Sequence, residues 1–471
     1  VIKNKSGEVV LEKSGNAEIR NNSFTITGSL KNPILWDIDN PYLYRFEMKV
    51  GKSIFSDKFG FREFKTEDGL LYLNGKPFYM ISALDQNFYS DTQYHSPSEE
   101  AIRDEMLKAK QLGLNLLRCH IKVPEKRYLE LADELGLLVW YELPNWSQFN
   151  DDTKLRGRYT LEQMLDRDWN HPSIVILTII NESWGIDLSK ADQRKWLGDE
   201  YDYIKSIATG RLVVDNSACW NNFHIKTDLN DYHQYYSIPE NADAFKEFVE
   251  SMAKRPDWLF SKHGDSGQTG KEPILLSEFG NWGLPLLPEK LPFWFDRKFD
   301  DDDNYTPAGV FERLKDFKYD RIFKDYSALA LESQKVEFNA LKYEIEQIRL
   351  QNPIQGYVIT EFTDINWESN GLMDMWRNFK YGHKELADVQ QADIIIPEVA
   401  KYNYYDNEPI NIDLYLSHYS NTDLNNSDLS IYLQGQQIKK YTLSTIKITS
   451  AEKVATFSNP IQKTNTNQPL P

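Results

Sequence analysis

The sequence predicts an α/β protein, a (β/α)8 TIM barrel set between two β-sandwich segments. Three observations carry this. Residues 1–64 alternate apolar and polar with period two; from Leu70 strand-length apolar runs alternate with helical segments; beyond Pro397 the period-two alternation returns. The expected domains are a partial sandwich over residues 1–64, a barrel over 65–395, and the start of a second sandwich with a frayed tail over 396–471.

In the first segment, Phe24–Gly28, Leu43–Val50 and Ile54–Phe59 read as half-buried strands punctuated by Gly28, Pro33, Asn40-Pro41 and Gly51. The barrel opens on Phe78–Ile81. A helix from Ser96 to Leu112 follows, with Ser96 as N-cap, Pro97 at the first helical position and Glu99 closing a capping box; Gly113 ends it. Leu114–Arg118 is the next strand, then a helix from Pro124 to Leu135 stopped by Gly136, then strand Leu137–Tyr141. The run Ile174–Ile180 is the fourth strand. Leu212–Val214, the Tyr232–Tyr236 region, Ile274–Leu276 and Tyr357–Ile359 bring the count to eight, which suits a closed barrel. An open doubly wound sheet is the alternative, but it usually carries a Gly-rich first turn, and none is present. Ile410–Leu416 and Leu429–Leu433 alternate again; residues 458–471 are Asn/Thr/Gln/Pro-rich.

Bulk properties narrow the function classes. A length of 471 residues implies more than one domain. The formal charge of -17, with no Lys/Arg run longer than a pair, argues against a nucleic-acid partner. No apolar stretch approaches ~18 residues, so no membrane span is expected. The two cysteines form no CxxC, and Cys119 reads as a small buried hydrophobe. An aromatic share of 13% suits either a large core or a surface that binds flat apolar faces such as sugar rings. The chain starts at Val1 in what reads as mid-domain, so a fragment or processed form is expected and the missing leader leaves the compartment open. A periplasmic or extracellular location would suit a polysaccharide degrader.

Chemistry in a barrel sits at the carboxyl ends of the strands. The fourth strand ends at Asn181-Glu182, and the seventh at Glu278; the two Glu are 96 residues apart, three βα units of roughly 32 residues each. Two carboxyls aimed into one mouth suit glycoside cleavage, one protonating the leaving oxygen and the other stabilising or attacking the anomeric carbon. Each taken alone also fits a salt bridge or a helix cap. Asn181 suits a sugar hydroxyl or a strand-end turn. His120 lies two positions after Arg118, on the same face of a strand. Asp85, just past the first strand, is a candidate hydroxyl acceptor or a loop cap. Trp146, Trp184 and Trp282 lie beyond strand ends three, four and seven, where they would wall the pocket or pack under its rim. Asp300–Asp303 lacks the Gly and Glu of a calcium loop, and the eight His hold no HExxH, so neither metal nor cofactor is implied.

The motifs "LWDIDNPYLY" (35–44), "FGFREF" (59–64), "LYLNGKPFYM" (71–80), "NLLRCH" (115–120), "DRDWNHPSIVILTIINES" (166–183) and "LLSEFG" (275–280) together resemble glycoside hydrolase family 2, which includes β-galactosidases, β-glucuronidases and β-mannosidases. The resemblance implies immunoglobulin-like sandwiches flanking the barrel and a retaining, exo-acting β-glycoside hydrolase working by double displacement. By motif, Glu182 would be the acid/base and Glu278 the nucleophile. Arg118 would lie near the nucleophile, and Tyr235 of "DYHQYY" would hydrogen-bond it, with Tyr232 and Tyr236 as alternatives. His120 departs by one residue from many galactosidases, which leaves its sugar contact open. Near the eighth strand, "VITEFTDINWES" has Thr360 and Glu361 where the family often places a Trp platform; Trp367 or Trp376 would then supply the stacking face. "NFK" (378–380) matches the Asn-x-Lys carboxylate reader of β-glucuronidases only in letters, several residues too late. Glu278 is expected to be ionised and Glu182 protonated, its pKa lifted by burial and by Glu278. The expected partner is a β-linked oligosaccharide or glycoside, with homo-oligomerisation left open; the alternative is a carbohydrate-binding protein on a catalytically silent barrel.

Overall fold

The computed structural model of the protein describes residues 1–15, 25–294, 309–366, 368–401, 403–405, 408–433 and 435–460. Phe24, Asp300–Asp303, Trp367 and the tail from 461 onward lie outside the described residues.

Eight parallel strands close into a barrel: β1 (Met80–Asp85), β2 (Leu116–Cys119), β3 (Leu138–Glu142), β4 (Ile174–Asn181), β5 (Leu212–Cys219), β6 (Asn230–His233), β7 (Ile274–Phe279) and β8 (Ile354–Ile359). The seam pairs Gly356 with Met80 through Ile359 with Ala83. Glycine is required at that seam, because a Cβ on Gly356 would meet the Met80 Cβ at 2.4 Å and its carbonyl oxygen at 2.6 Å. Helices including Glu99–Gln111, Lys126–Leu135, Asp151–Asp168, Ala191–Ile207, Ala242–Met252 and Tyr326–Arg349 alternate with the strands.

The first helix starts two residues later than its sequence suggests. Ser98, not Ser96, is the N-cap, with extended backbone and a hydroxyl that accepts from the Ala101 N–H. The Ser96 N–H is instead bonded to Glu125 at 2.9 Å, which holds that residue outside the helix. Gly113 and Gly136 end their helices with φ of 84° and 74° as expected; a Cβ on Gly136 would lie 2.3 Å from the Ile38 carbonyl oxygen.

Alternation along the strands makes two apolar layers. Ile81, Leu117, Val139 and Leu177 face outward and join the layer beneath the helices, where Cys119 is also buried. Met80, Leu116, Leu138, Trp140 and Val214 belong to a second cluster, which Trp36, Phe64, Leu71, Leu73 and Phe78 complete. Those last residues come from the segments before the barrel, including a three-stranded antiparallel sheet, Phe64–Glu67, Leu70–Leu73 and Lys76–Phe78. They plug one end of the barrel. Polar bonds set the same contact: Trp36 Nε1 donates to the Asp133 carbonyl (2.8 Å), and Arg62 donates to the carbonyls of Pro172 (2.9 Å), Ile174 and Gly210.

Ahead of this plug is a four-stranded antiparallel sheet, in order Val9–Leu11, Ile2–Lys3, Tyr44–Val50, Ser53–Phe59. Residues 25–28, read as strand from sequence, are irregular. After the barrel, Asp393–Val399, Pro409–His418 and Ser450–Pro460 form an antiparallel sheet beside a hairpin of Asp428–Leu433 and Gln436–Thr442. Among the described residues no helix is long and apolar enough to cross a membrane.

Candidate active site

Strand β4 ends because the backbone turns left-handed: Glu182 and Ser183 have φ of 51° and 58°, and Gly185 follows at 71°. For non-glycine residues this conformation is costly and needs local support. The Glu182 N–H donates to the Ser217 carbonyl (2.8 Å) and the Ser183 N–H to Asn216 Oδ1 (2.8 Å), both on β5. The apolar run thus stays in the wall while the Glu182 carboxyl swings into the mouth.

Glu278, near the end of β7, is held by three groups. Arg118 Nη1 lies 3.1 Å from Oε1, the Tyr235 hydroxyl donates to Oε2 (2.6 Å), and His233 Nδ1 is 3.5 Å from Oε2. Of the three tyrosines the motif left open, Tyr235 is the one at the carboxylate. The Tyr232 hydroxyl donates to the Trp220 carbonyl, and Tyr236 packs on Phe245 and Phe248. Burial, then the charge of Glu278, pushes the Tyr235 hydroxyl well above its ordinary pKa, so it remains a donor.

Arg118 is fully buried and organises the floor. Its Nε donates to Glu142 (2.6 Å), Nη1 to the Ser277 carbonyl (2.8 Å) and Nη2 to Asn181 Oδ1 (2.8 Å). The last bond fixes the amide, leaving its Nδ2 end turned away from Arg118. Burial would lower the guanidinium pKa, but Glu142, Glu278 and Asp231 outweigh it and raise it. Glu142 also takes His120 Nδ1 (2.9 Å) and the Ile121 N–H (2.8 Å). Burial raises the Glu142 pKa, but Arg118 and then His120 outweigh this and hold it at about 2.

Glu142 and His233 were not singled out in the sequence. Glu142 ends β3, so the strand-end rule that picked the other two carboxylates would have found it. His233 sits two positions before Tyr235 inside the quoted "DYHQYY". Its Nδ1 lies 2.9 Å from Glu182 Oε1 and its Nε2 is 2.8 Å from Ser217 Oγ. Glu182, His233 and Glu278 each present one atom within 4.8 Å of the other two, a spacing that three ligands of a cation could also adopt. The structure departs from expectation at Glu182. Burial does raise its pKa, but the hydrogen bond and charge of His233, with the Cys219 thiol behind, outweigh this and bring it to about 2.

The remaining candidates divide. Trp184 and Trp282 are exposed at the mouth, Trp184 edge-on to His120 at 6.3 Å and Trp282 tilted against Tyr235 at 6.4 Å. Trp146 packs under the rim: a Cβ on Gly185 would meet its carbonyl oxygen at 2.2 Å, and its ring stands edge-on to Trp196. Asp85 is buried, with its oxygens taken by Tyr128 OH (2.8 Å), the Asn87 N–H (2.8 Å) and Asn87 Nδ2 (2.6 Å), the loop cap left open above. Thr360 Oγ1 is 3.1 Å from the Tyr235 hydroxyl, while Glu361 is wholly buried. Trp376 packs against the cluster of Phe88, Ile365 and Met375. Lys380 is buried against Asp364 (2.8 Å), the Gly283 carbonyl (2.8 Å) and Glu337 (3.3 Å), and Asn378 Nδ2 is bonded to Asp374 (2.9 Å).

Residues 64–285 match the family model described as the TIM barrel domain of glycosyl hydrolases family 2, and residues 1–62 match a second model of glycosyl hydrolases family 2. A β-galactosidase of Thermoanaerobacterium thermosulfurigenes is 35% identical over 271 residues, covering 56% of this chain and 34% of that protein. A β-galactosidase of Oenococcus oeni is 30% identical over 278 residues, covering 55% of this chain and 25% of that protein. The chain thus spans between a quarter and about a third of the length of these relatives. Among solved structures, a β-glucuronidase from Ruminococcus gnavus in complex with D-glucuronic acid shares the fold at a TM-score of 0.62 and 16% identity, covering 83% of this chain and 62% of that one. A β-galacturonidase from Eisenbergiella tayi bound to galacturonate does so at 0.59 and 20%, covering 78% and 61%. The class is a (β/α)8 barrel flanked by antiparallel sheets. Within it, the chain belongs to glycoside hydrolase family 2.

Proposed function

We propose that the chain is a retaining, exo-acting β-glycoside hydrolase that works by double displacement at the terminus of an oligo- or polysaccharide. The observation that carries this is the facing pair: an oxygen of Glu182 and one of Glu278 lie within 4.8 Å. That favours the ~5–5.5 Å carboxyl separation of retaining enzymes over the ~6.5–9.5 Å that leaves room for a water. The environments also divide the roles. Glu278 is clamped by Arg118 and Tyr235, which suits an ionised nucleophile; Glu182 is at the more open side and bonded to His233.

Glu278 attacks the anomeric carbon, the glycosidic C–O bond breaks, and the leaving oxygen takes a proton from Glu182. His233 Nδ1, 2.9 Å from Glu182 Oε1, orients that carboxyl toward the leaving oxygen. When a sugar covers the cavity and water leaves, the burial that already pushes the Glu182 pKa up grows, and the carboxyl is driven toward its protonated, acid form. Water then enters, Glu182 removes its proton, and the hydroxide equivalent displaces the glycosyl ester from Glu278 with net retention. Asn181, Arg118 and His120 form the floor on which the sugar rests, with Trp184 and Trp282 at its mouth. Lys380 and Asn378 are engaged with internal partners, which favours a neutral glycone over a uronate.

A panel of aryl β-galactoside, β-glucoside, β-mannoside and β-glucuronide tests the reading, with the first-formed anomer followed by NMR. Retention is expected. With azide and an activated leaving group, Glu182→Ala should yield the β-glycosyl azide and Glu278→Gly the α-glycosyl azide, since azide takes the face each carboxylate served. Net inversion, or no azide product from either variant of an active protein, overturns the assignment.

A further inference from the structure

Beside the central cavity, the loop after β5 and the end of β6 border a second cleft of about 620 Å³, within the ~300–1,000 Å³ usual for small-molecule sites. Trp220, Phe223, Tyr232 and Trp258 line it with aromatic rings, Asn222 and Gln234 with amides, and Lys262 and His263 with an ammonium and an imidazole; no carboxylate is among its lining residues. Trp258 stands edge-on to Tyr232 at 4.8 Å and closes the floor. Trp220 is 76% exposed and sits at the rim. Its backbone is left-handed, with φ of 44°, and is held there by the Tyr232 hydroxyl on its carbonyl and by the Asn222 N–H on the Cys219 carbonyl (2.8 Å). A large ring displayed to water on a backbone fixed in a costly conformation is a preorganised platform. Ring faces stack on the C–H face of a sugar, and amides pair with its hydroxyls.

The cleft shares a wall with the acid/base. Asn222 Nδ2 donates to the Glu182 carbonyl (3.0 Å), the Cys219 thiol hydrogen-bonds the Glu182 carboxyl, and Gln234 follows His233. The residue that protonates the leaving oxygen must face the leaving group, so the departing sugar lies on this side of the site. We propose that the cleft binds the leaving-group portion of a β-linked oligosaccharide, beyond the bond that is cleaved; this rests on the hydrolase reading above.

The test compares Trp220→Ala and Phe223→Ala with the unaltered chain on two probes. One is the β-glycosyl fluoride of the sugar the aryl panel selects, whose leaving group is a single fluoride; the other is a set of β-1,4-linked tetrasaccharides of galactose, glucose and mannose. The variants should lose about tenfold in kcat/KM on the tetrasaccharide, the worth of one ring-stacking contact. On the glycosyl fluoride they should stay within about twofold, since its leaving group has no ring or sugar to stack. Equal losses on both probes, no loss on either, or no cleavage of any tetrasaccharide by a chain that cleaves aryl glycosides overturns the cleft assignment. If no aryl glycoside is cleaved, the hydrolase reading fails instead. The cleft is then judged by calorimetric titration with the same tetrasaccharides, where absence of binding, or binding unchanged in both variants, overturns it.

Discussion

Replacing Glu142 by Gln probes the charge network under the site. The Glu142 carboxyl has a pKa of about 2 against an ordinary 4.5. Holding it that low is worth ~3 kcal/mol of folding stability at neutral pH. Gln is neutral and nearly isosteric, so the variant lacks what a protonated Glu142 lacks. A second route gives a similar figure, because removing one partner of a buried ion pair costs about 3–5 kcal/mol. Here the stranded partner is Arg118, whose side chain is fully buried. The folded pKa lies below the unfolded one, so the contribution is complete above about pH 4.5 and is lost as pH falls through about 2. At pH 3 it should be less than half as large, on the order of 1 kcal/mol. Urea unfolding of the barrel, followed by tryptophan fluorescence at pH 7 and pH 3, measures both values. A difference between parent and variant below ~1 kcal/mol at pH 7, or one that does not shrink at pH 3, would refute the reasoning.

Tyr235→Phe removes the hydroxyl bonded to Glu278 at 2.6 Å; a bond to a charged group is worth ~1.5–3 kcal/mol, so kcat/KM should fall ~10- to 100-fold. An unaltered rate would show that the Tyr235–Glu278 bond takes no part in the proposed attack by Glu278. His233→Leu takes away the donor that holds the Glu182 carboxyl at about 2, while burial stays. The Glu182 pKa therefore rises, and the acid limb of kcat on an activated aryl glycoside, where Glu182 must act as an ionised base, moves to higher pH; a limb that stays put or moves down contradicts this. Arg62→Ala deletes the donors to Pro172, Ile174 and Gly210, bonds from a charged group worth ~1.5–3 kcal/mol. Its melting temperature should drop by several degrees with kcat/KM on an aryl glycoside nearly unchanged. Equal melting temperatures would show that the plug is held by apolar packing alone.

Much of this molecule is written locally in its chain. The glycines at 113 and 136 stop helices because they alone take the left-handed turn cheaply, and the β-branched run before Asn181-Glu182 can only be a buried strand. Counting such runs yields eight strands and puts two Glu at the ends of the fourth and seventh. What the chain order does not contain is which groups reach each other across the barrel. Ser96 loses the helix cap because Glu125, 29 positions on, binds its N–H. Asp85 faces Tyr128 and Asn87 rather than the cavity because those donors arrive first in space, and Trp146 is drawn under Gly185 because that glycine leaves room. The pKa of Glu182 is the clearest case. Burial pushes it up, as the residue's position suggests, yet His233, 51 residues later, pulls it to about 2. Element type and strand count follow from torsional preference and periodicity, which act over a few residues. Hydrogen-bond partners and protonation follow from distances of about 3 Å between groups far apart in sequence, and only closure of the barrel creates them.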